Sequence, residues 1–148
     1  MSLFSKDNMI MDLKVTTQKE VMQEFAELAQ KNGHAKDADN LYKDLLAREE
    51  ESTTGFGNGV AIPHTKSKEV LEASIFFARS SNLIEWQSLD DKPVNTWISL
   101  MIPVDQADVH LKLLAKLSRQ LMHQDFIAIL KNGSQEEVFE AIQNILIS

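Results

Sequence analysis

Cysteine is absent from the chain, which excludes disulfide bonds, thiolate metal sites and a cysteine nucleophile. No apolar run is long enough to cross a bilayer, so we expect a cytoplasmic protein without direct membrane insertion. Basic residues are few: 15 lysines and arginines face 22 aspartates and glutamates, for a formal net charge of −7. Since the basic side chains do not cluster, the composition argues against nucleic-acid binding and against adhesion to anionic lipid.

Prolines and glycines are also scarce, with three of the former and five of the latter. Pro63, Pro93 and Pro103 each lie at a break between periodic segments, where a residue without a backbone donor is tolerated. The 148 residues are 43% hydrophobic, which is ordinary globular composition. This length predicts a single domain over residues 1–148.

Hydrophobic periodicity predicts the order strand, two helices, about four strands and three helices. The expected helices cover about residues 17–32, 38–49, 107–122, 125–130 and 134–145, and the expected strands 9–15, 60–62, 73–78, 83–86 and 94–102. Capping-box sequences begin two of the helices, at Thr17 and at Ser134. Strands in a block with helices on both sides predict an α+β fold, a three-layer α/β/α sandwich around a mixed sheet of four to five strands.

The glycine-rich segment 55–59 does not match the sharper ligand-binding motifs. Its Gly-x-Gly-x-Gly spacing lacks the Gly-Lys-Ser/Thr of a phosphate-binding loop and misses the dinucleotide fingerprint. A Gly-x-Ser-x-Gly nucleophile elbow is missing as well. The histidines lack the tight spacing of a metal site, so no metal is expected.

Three side chains are candidates for chemistry. His64 leaves a predicted buried strand directly after Pro63, whose ring stiffens the backbone. His110 lies on the inward stripe of a predicted helix, in its first turns, where the helix dipole attracts phosphate and disfavours an imidazolium. Arg48, near the end of the second helix, could hold phosphate oxygens through two hydrogen bonds. Taken alone, the residues also allow a solvated or satisfied histidine and a surface ion pair.

The segment Phe56-Gly57-Asn58-Gly59-Val60-Ala61-Ile62-Pro63-His64, preceded by Glu49, resembles a known signature. It is similar to the phosphohistidine motif of the fructose/mannitol class of enzyme IIA, a component of the bacterial phosphoenolpyruvate-dependent sugar phosphotransferase system. The likeness extends to segment 46–49, to Trp86 and to the block His110–Leu117. It therefore covers essentially the whole chain.

The resemblance implies a role for each candidate. The histidine that matches His64 accepts a phosphoryl group from the histidine-containing phosphocarrier protein and passes it to a cysteine of enzyme IIB. Enzyme IIB then phosphorylates the sugar during transport through the membrane enzyme IIC. The residues that match His110 and Arg48 line the same site, and the family uses no metal or organic cofactor.

Four further residues are predicted to contribute to binding. Gly57 and Asn58 belong to the glycine-rich segment, where backbone can approach a bound group or partner. Phe56 is expected on an apolar rim around an exposed His64, because both protein partners must reach that histidine. Thr65 departs from the resembled family, which usually has a small residue after the active histidine, and its hydroxyl could contact the phosphate.

Three functions remain open at this stage. The first is a sugar phosphotransferase component, with a fructose-like sugar as the commonest case in the family. The second is a regulator of the nitrogen-related branch, in which phosphorylation controls binding to other proteins. The third, a binding domain that is not phosphorylated, is disfavoured because Arg48, His64 and His110 are all present.

Overall fold

The computed structural model describes residues 3–147. The helices are α1 (Gln18–Lys31), α2 (Ala38–Glu51), α3 (Ala107–Gln120), α4 (Gln124–Asn132) and α5 (Gln135–Ile147). The strands are β1 (Met9–Ile10), β2 (Gly55–Gly57), β3 (Val60–Ala61), β4 (His64–Ser67), β5 (Ser74–Ile84) and β6 (Val94–Pro103). Within these described residues no helix is both long and apolar enough to span a membrane.

The expected helices are all present, and local capping explains where α1 and α5 begin. The Thr17 side chain accepts a hydrogen bond from the Glu20 backbone, and the Glu20 carboxylate accepts one from the Thr17 backbone. Ser134 and Glu137 form the same reciprocal pair before α5. Since each box satisfies amide groups that lack partners at a helix start, the sequence determines these boundaries locally.

The sheet is mixed, as predicted, in the order β1-β5-β6-β3-β2. Strand β6 pairs antiparallel with β5 and parallel with both β3 and β4. Val60 lies opposite Thr96 and His64 opposite Leu100, so β3 and β4 keep one register along β6. The two strands therefore follow one another along the same side of β6, with an interruption at Ile62 and Pro63.

A hydrophobic core covers each face of the sheet, which confirms the three-layer α/β/α architecture. Trp97 and Phe76 point to the side of α1 and α2, where they pack with Phe25. On the opposite side, Ile98 and Leu117 belong to a second cluster formed with α3, α4 and α5. Neighbouring residues such as Trp97 and Ile98 enter different cores because side chains alternate along a strand.

Several predicted strand boundaries are wrong. The first strand was expected over residues 9–15 but is only Met9–Ile10. The segment 83–86 is not a separate strand, because β5 runs unbroken through Ile84. Pro63 does not end its strand line, which resumes at His64; its carbonyl accepts a hydrogen bond from Leu100 N at 3.0 Å. Propensity rules missed these points because pairing with remote strands decides them: β1 pairs with β5, and both β4 and β5 pair with β6.

Segment 55–59 is a tight hairpin between β2 and β3 rather than an open loop. Gly57, Asn58 and Gly59 all have positive φ, at 117°, 57° and 77°. Gly55 is needed for a close approach: a Cβ there would lie 2.3 Å from the Gln87 carbonyl oxygen. The glycines therefore serve chain packing at this end of the sheet.

Candidate functional site

An open cleft of about 810 Å³ lies at the sheet edge formed by β4, with α2 on one side and the start of α3 on the other. It is lined by residues that include Arg48, His64, Thr65, Lys66, Ser67, Val104, His110 and Leu114. Three remote segments thus bring Arg48, His64 and His110 to one place. The geometry agrees with the predicted grouping of these three side chains.

Alternation along β4 assigns its side chains to two different faces. His64 and Lys66 face the layer of α3, whereas Thr65 and Ser67 face α2. The Ser67 hydroxyl accordingly donates a hydrogen bond to the carboxylate of Asp44 in α2. The cleft therefore receives groups from both helical layers where they meet at the sheet edge.

His64 is buried, with 5% of its surface exposed, so the expectation of an exposed histidine is wrong. Burial follows from its position inside β4, where it pairs with Leu100 rather than standing in a loop. The Nδ1 atom lies 2.6 Å from the Ile62 carbonyl oxygen. A carbonyl only accepts, so Nδ1 carries the proton and Nε2 of the neutral ring keeps its lone pair.

His110 packs against His64, with ring centroids 5.1 Å apart. It lies in the first turns of α3 and is 8% exposed, which confirms the predicted inward orientation. Its Nε2 atom is buried without a hydrogen-bond partner among residues 3–147. A buried polar atom left unpaired costs about 1–3 kcal/mol, so this nitrogen is suited to a ligand that enters the cleft.

Both histidines are held neutral near pH 7. Burial lowers the pKa of His64, and the positive charge of Arg48 lowers it further against the opposing effect of the Ile62 carbonyl. The pKa of His110 falls to about 4, chiefly through burial and then through the charges of His64, Lys66 and Arg48. Neutral rings keep the His64 lone pair available for attack at physiological pH.

The depressed pKa of His110 predicts a pH-dependent stability. Folded protein binds this proton more weakly than unfolded protein, whose histidine titrates near 6.5. Acidification from about pH 6.5 to 4 therefore favours unfolding, by up to about 1.4 kcal/mol per pH unit for one proton. Denaturant unfolding should show a shallower pH slope in His110→Gln than in the parent protein. Parallel slopes in this range would remove His110 as the cause.

Arg48 lies on the cleft side of α2 and is half-buried. Its Nη1 donates to the Ser52 carbonyl oxygen at 3.0 Å, which fixes the side chain beside the segment leading to β2. The surface ion pair with a neighbouring glutamate is not formed among the described residues. Five donors on a planar guanidinium leave further hydrogen bonds for an anion in the cleft.

The structure does not bring Phe56, Gly57 and Asn58 to the cleft. Phe56 packs against the core on the α3 side, and Asn58 donates its backbone N–H to Asp90 at 2.9 Å. These residues belong to the β2–β3 hairpin, which precedes β3, whereas the cleft is lined by β4. Thr65 does line the cleft, but it is buried and faces α2.

Sequence reasoning missed Lys66, which lines the cleft beside the two histidines. The signal was its i+2 spacing from His64, which places both side chains on one face of a strand. It was not used because His64 was expected to leave a strand rather than to lie within one.

Chemically, the cleft combines a neutral imidazole with a free lone pair, an unpartnered ring nitrogen and a guanidinium. This set suits acceptance of a phosphoryl group, because phosphoryl transfer needs positioning and charge stabilisation more than acid–base chemistry. No group of three His, Asp or Glu side chains in the described part of the chain is arranged to hold a metal ion.

Comparison with known proteins gives consistent matches. The family model described as "Phosphoenolpyruvate-dependent sugar phosphotransferase system, EIIA 2" matches residues 2–145. The chain is 35% identical over 128 residues to the "PTS system fructose-like EIIA component" of Escherichia coli (strain K12), covering 86% of each protein. It therefore resembles a curated EIIA component along most of both lengths.

Two solved structures share the fold. The nitrogen regulatory protein IIA-Ntr from Neisseria meningitidis superposes with a TM-score of 0.88 at 27% identity, covering 95% of this chain and 96% of that one. The mannitol enzyme IIA of Escherichia coli, solved in complex with phosphorylated enzyme IIB, has a TM-score of 0.80 at 21% identity. That alignment covers 96% of this chain and 99% of that one.

The family match covers nearly all of the chain, and the superpositions extend over the same three-layer fold. Members of this family are phosphotransfer proteins that act with an EIIB partner. The chain belongs to the EIIA 2 family of the phosphoenolpyruvate-dependent sugar phosphotransferase system.

Proposed function

We propose that this chain accepts a phosphoryl group on Nε2 of His64 from a histidine-containing phosphocarrier protein and passes it to a cysteine of enzyme IIB. The observation that carries the proposal is the 2.6 Å contact between His64 Nδ1 and the Ile62 carbonyl, which leaves Nε2 as the nucleophile. The phosphorylated sugar is fructose-like, and enzyme IIC is the membrane component.

The transfer balances without an added proton. Neutral His64 attacks phosphorus through Nε2, the new N–P bond forms, and the N–P bond of the donor phosphohistidine breaks. The donor imidazole leaves with that electron pair. His64 then carries a positive ring whose Nδ1 keeps its proton and donates it in the hydrogen bond to the Ile62 carbonyl, and charge on the phosphoryl oxygens faces Arg48 and the His110 N–H.

Similarity to the fructose-like component of Escherichia coli supports the sugar class. This support for the sugar class is indirect, because the sugar itself does not contact an EIIA component in this relay. Substrate choice therefore has to be tested through the EIIB and EIIC partners, and a fructose-class enzyme IIB is the first of these to test.

The test is a reconstituted relay. The chain is incubated with labelled phosphoenolpyruvate, enzyme I and the phosphocarrier protein, and acid-labile label is mapped by mass spectrometry. We expect one phosphoryl group per chain, on His64, and its transfer to a fructose-class enzyme IIB but not to the same protein with its cysteine replaced by serine. Label on another residue, or none, would refute the assignment.

A second function is favoured by the superposition on the nitrogen regulatory protein from Neisseria meningitidis. In that case phosphorylation of His64 controls binding to another protein. The two functions separate in the same relay: a regulator keeps its label when enzymes IIB of several sugar classes are added.

A further inference from the structure

We propose that Lys66 is a second cation of the phosphoryl site, whose ammonium group contacts the phosphoryl oxygens on His64 from the α3 side while Arg48 contacts them from the α2 side. The proposal rests on the proposed function of His64 and adds a residue to that site. It makes Lys66 part of the transfer machinery rather than a solvated lysine of an exposed edge.

Strand geometry is the first support. Lys66 follows His64 by two residues within β4, so both side chains leave the same face of the sheet. That face is the one on which the His110 ring lies against His64. Lys66 and Arg48 line the same cleft but reach it from different layers, since Arg48 belongs to α2.

Charge at the site is the second support. The positive charge of Lys66 acts on His110 more strongly than that of Arg48 and contributes to its lowered pKa. The ion pairs formed within residues 3–147 do not include Lys66. Its ammonium thus acts on the His110 ring and, among the described residues, has no carboxylate in an ion pair to neutralise it.

The chemistry of transfer explains why a second cation is useful. Charge is spread over three equatorial oxygens in the transition state, and one guanidinium meets at most two of them in a bidentate contact. A lysine is a mobile point charge that can follow the third oxygen as the P–N bond breaks. Lys66 contributes only its charge and exchanges no group with the phosphate, so the balance of the transfer step is unchanged.

The experiment compares Lys66→Met with Lys68→Met. Lys68 is also an exposed lysine that lines the cleft, two residues farther along the chain, so both variants lose one positive charge from the same surface. Single-turnover transfer from the phosphorylated chain to enzyme IIB is measured at saturating enzyme IIB. We expect a rate about tenfold lower in Lys66→Met, recovery in Lys66→Arg, and a change below about twofold in Lys68→Met.

A second readout separates this role from partner docking and from structure. In NMR titrations the pKa of His110 should rise in Lys66→Met and stay unchanged in Lys68→Met, because only the nearer charge is lost. An unchanged rate at saturating enzyme IIB, or equal losses in the two lysine variants, would overturn the proposal. If the parent protein takes no label on His64, the proposed function fails instead, so the two failures are distinguishable.

Discussion

Replacing His64 with asparagine is expected to abolish phosphoryl acceptance, with labelling from the phosphocarrier protein reduced by at least about a thousandfold. Loss of a nucleophile that forms the covalent intermediate leaves only binding and charge stabilisation. Asparagine is chosen because its amide N–H can replace Nδ1 as donor to the Ile62 carbonyl, which the parent ring contacts at 2.6 Å. Labelling is measured as acid-labile phosphate per chain.

The matched control is His123→Asn. His123 is an exposed histidine that makes no side-chain capping hydrogen bond at the start of α4, so its loss should leave labelling unchanged. Thermal unfolding of both variants shows whether the buried substitution keeps the fold. A folded His64→Asn protein that is labelled to the parent stoichiometry would exclude His64 as the carrier.

The second large effect is expected at His110. We predict that His110→Ala is still phosphorylated but passes the group to enzyme IIB about a hundredfold more slowly. The buried Nε2 of His110 has no partner in the described residues, and its ring packs against His64, so it is placed to donate to a phosphoryl oxygen. Removal of one such preorganised donor typically costs about 10²–10³ in rate.

The comparison uses two more variants. His110→Gln restores an amide N–H near the position of Nε2 and should recover part of the rate. Leu111→Ala changes a 67% exposed neighbour on the same helix and should have no effect on a rate measured at saturating enzyme IIB. Transfer by His110→Ala at the parent rate would show that this histidine has only a packing role.

Local sequence determined much of the helical framework. The capping boxes at Thr17 and Ser134 are complete within four residues, so no tertiary contact is needed to set those starts. The inward position of His110 followed from helical periodicity in the same way. The motif around His64 was recognisable because it lies in one continuous segment.

Strand ends depended on partners far along the chain. β1 is short, and β5 extends to Ile84, for reasons of pairing that no local pattern contains. The role of Gly55 was likewise hidden, since the group it approaches is the remote Gln87 carbonyl. The close packing of Gly55 against Gln87 holds the glycine-rich segment at the end of the sheet away from the cleft.

By itself the sequence determined the residue types of the site, the presence of the five helices with the capped starts of α1 and α5, and the family, because these rest on short-range patterns. Only the tertiary structure decided that His64 is buried within a strand, with Nδ1 hydrogen-bonded to the Ile62 carbonyl and the lone pair of the neutral ring left on Nε2. Only the fold brought Arg48, His110 and Lys66 into the cleft that His64 lines. The reason is that burial, tautomer and charge pairing depend on which remote segments share the edge of β4, and sheet pairing sets that arrangement.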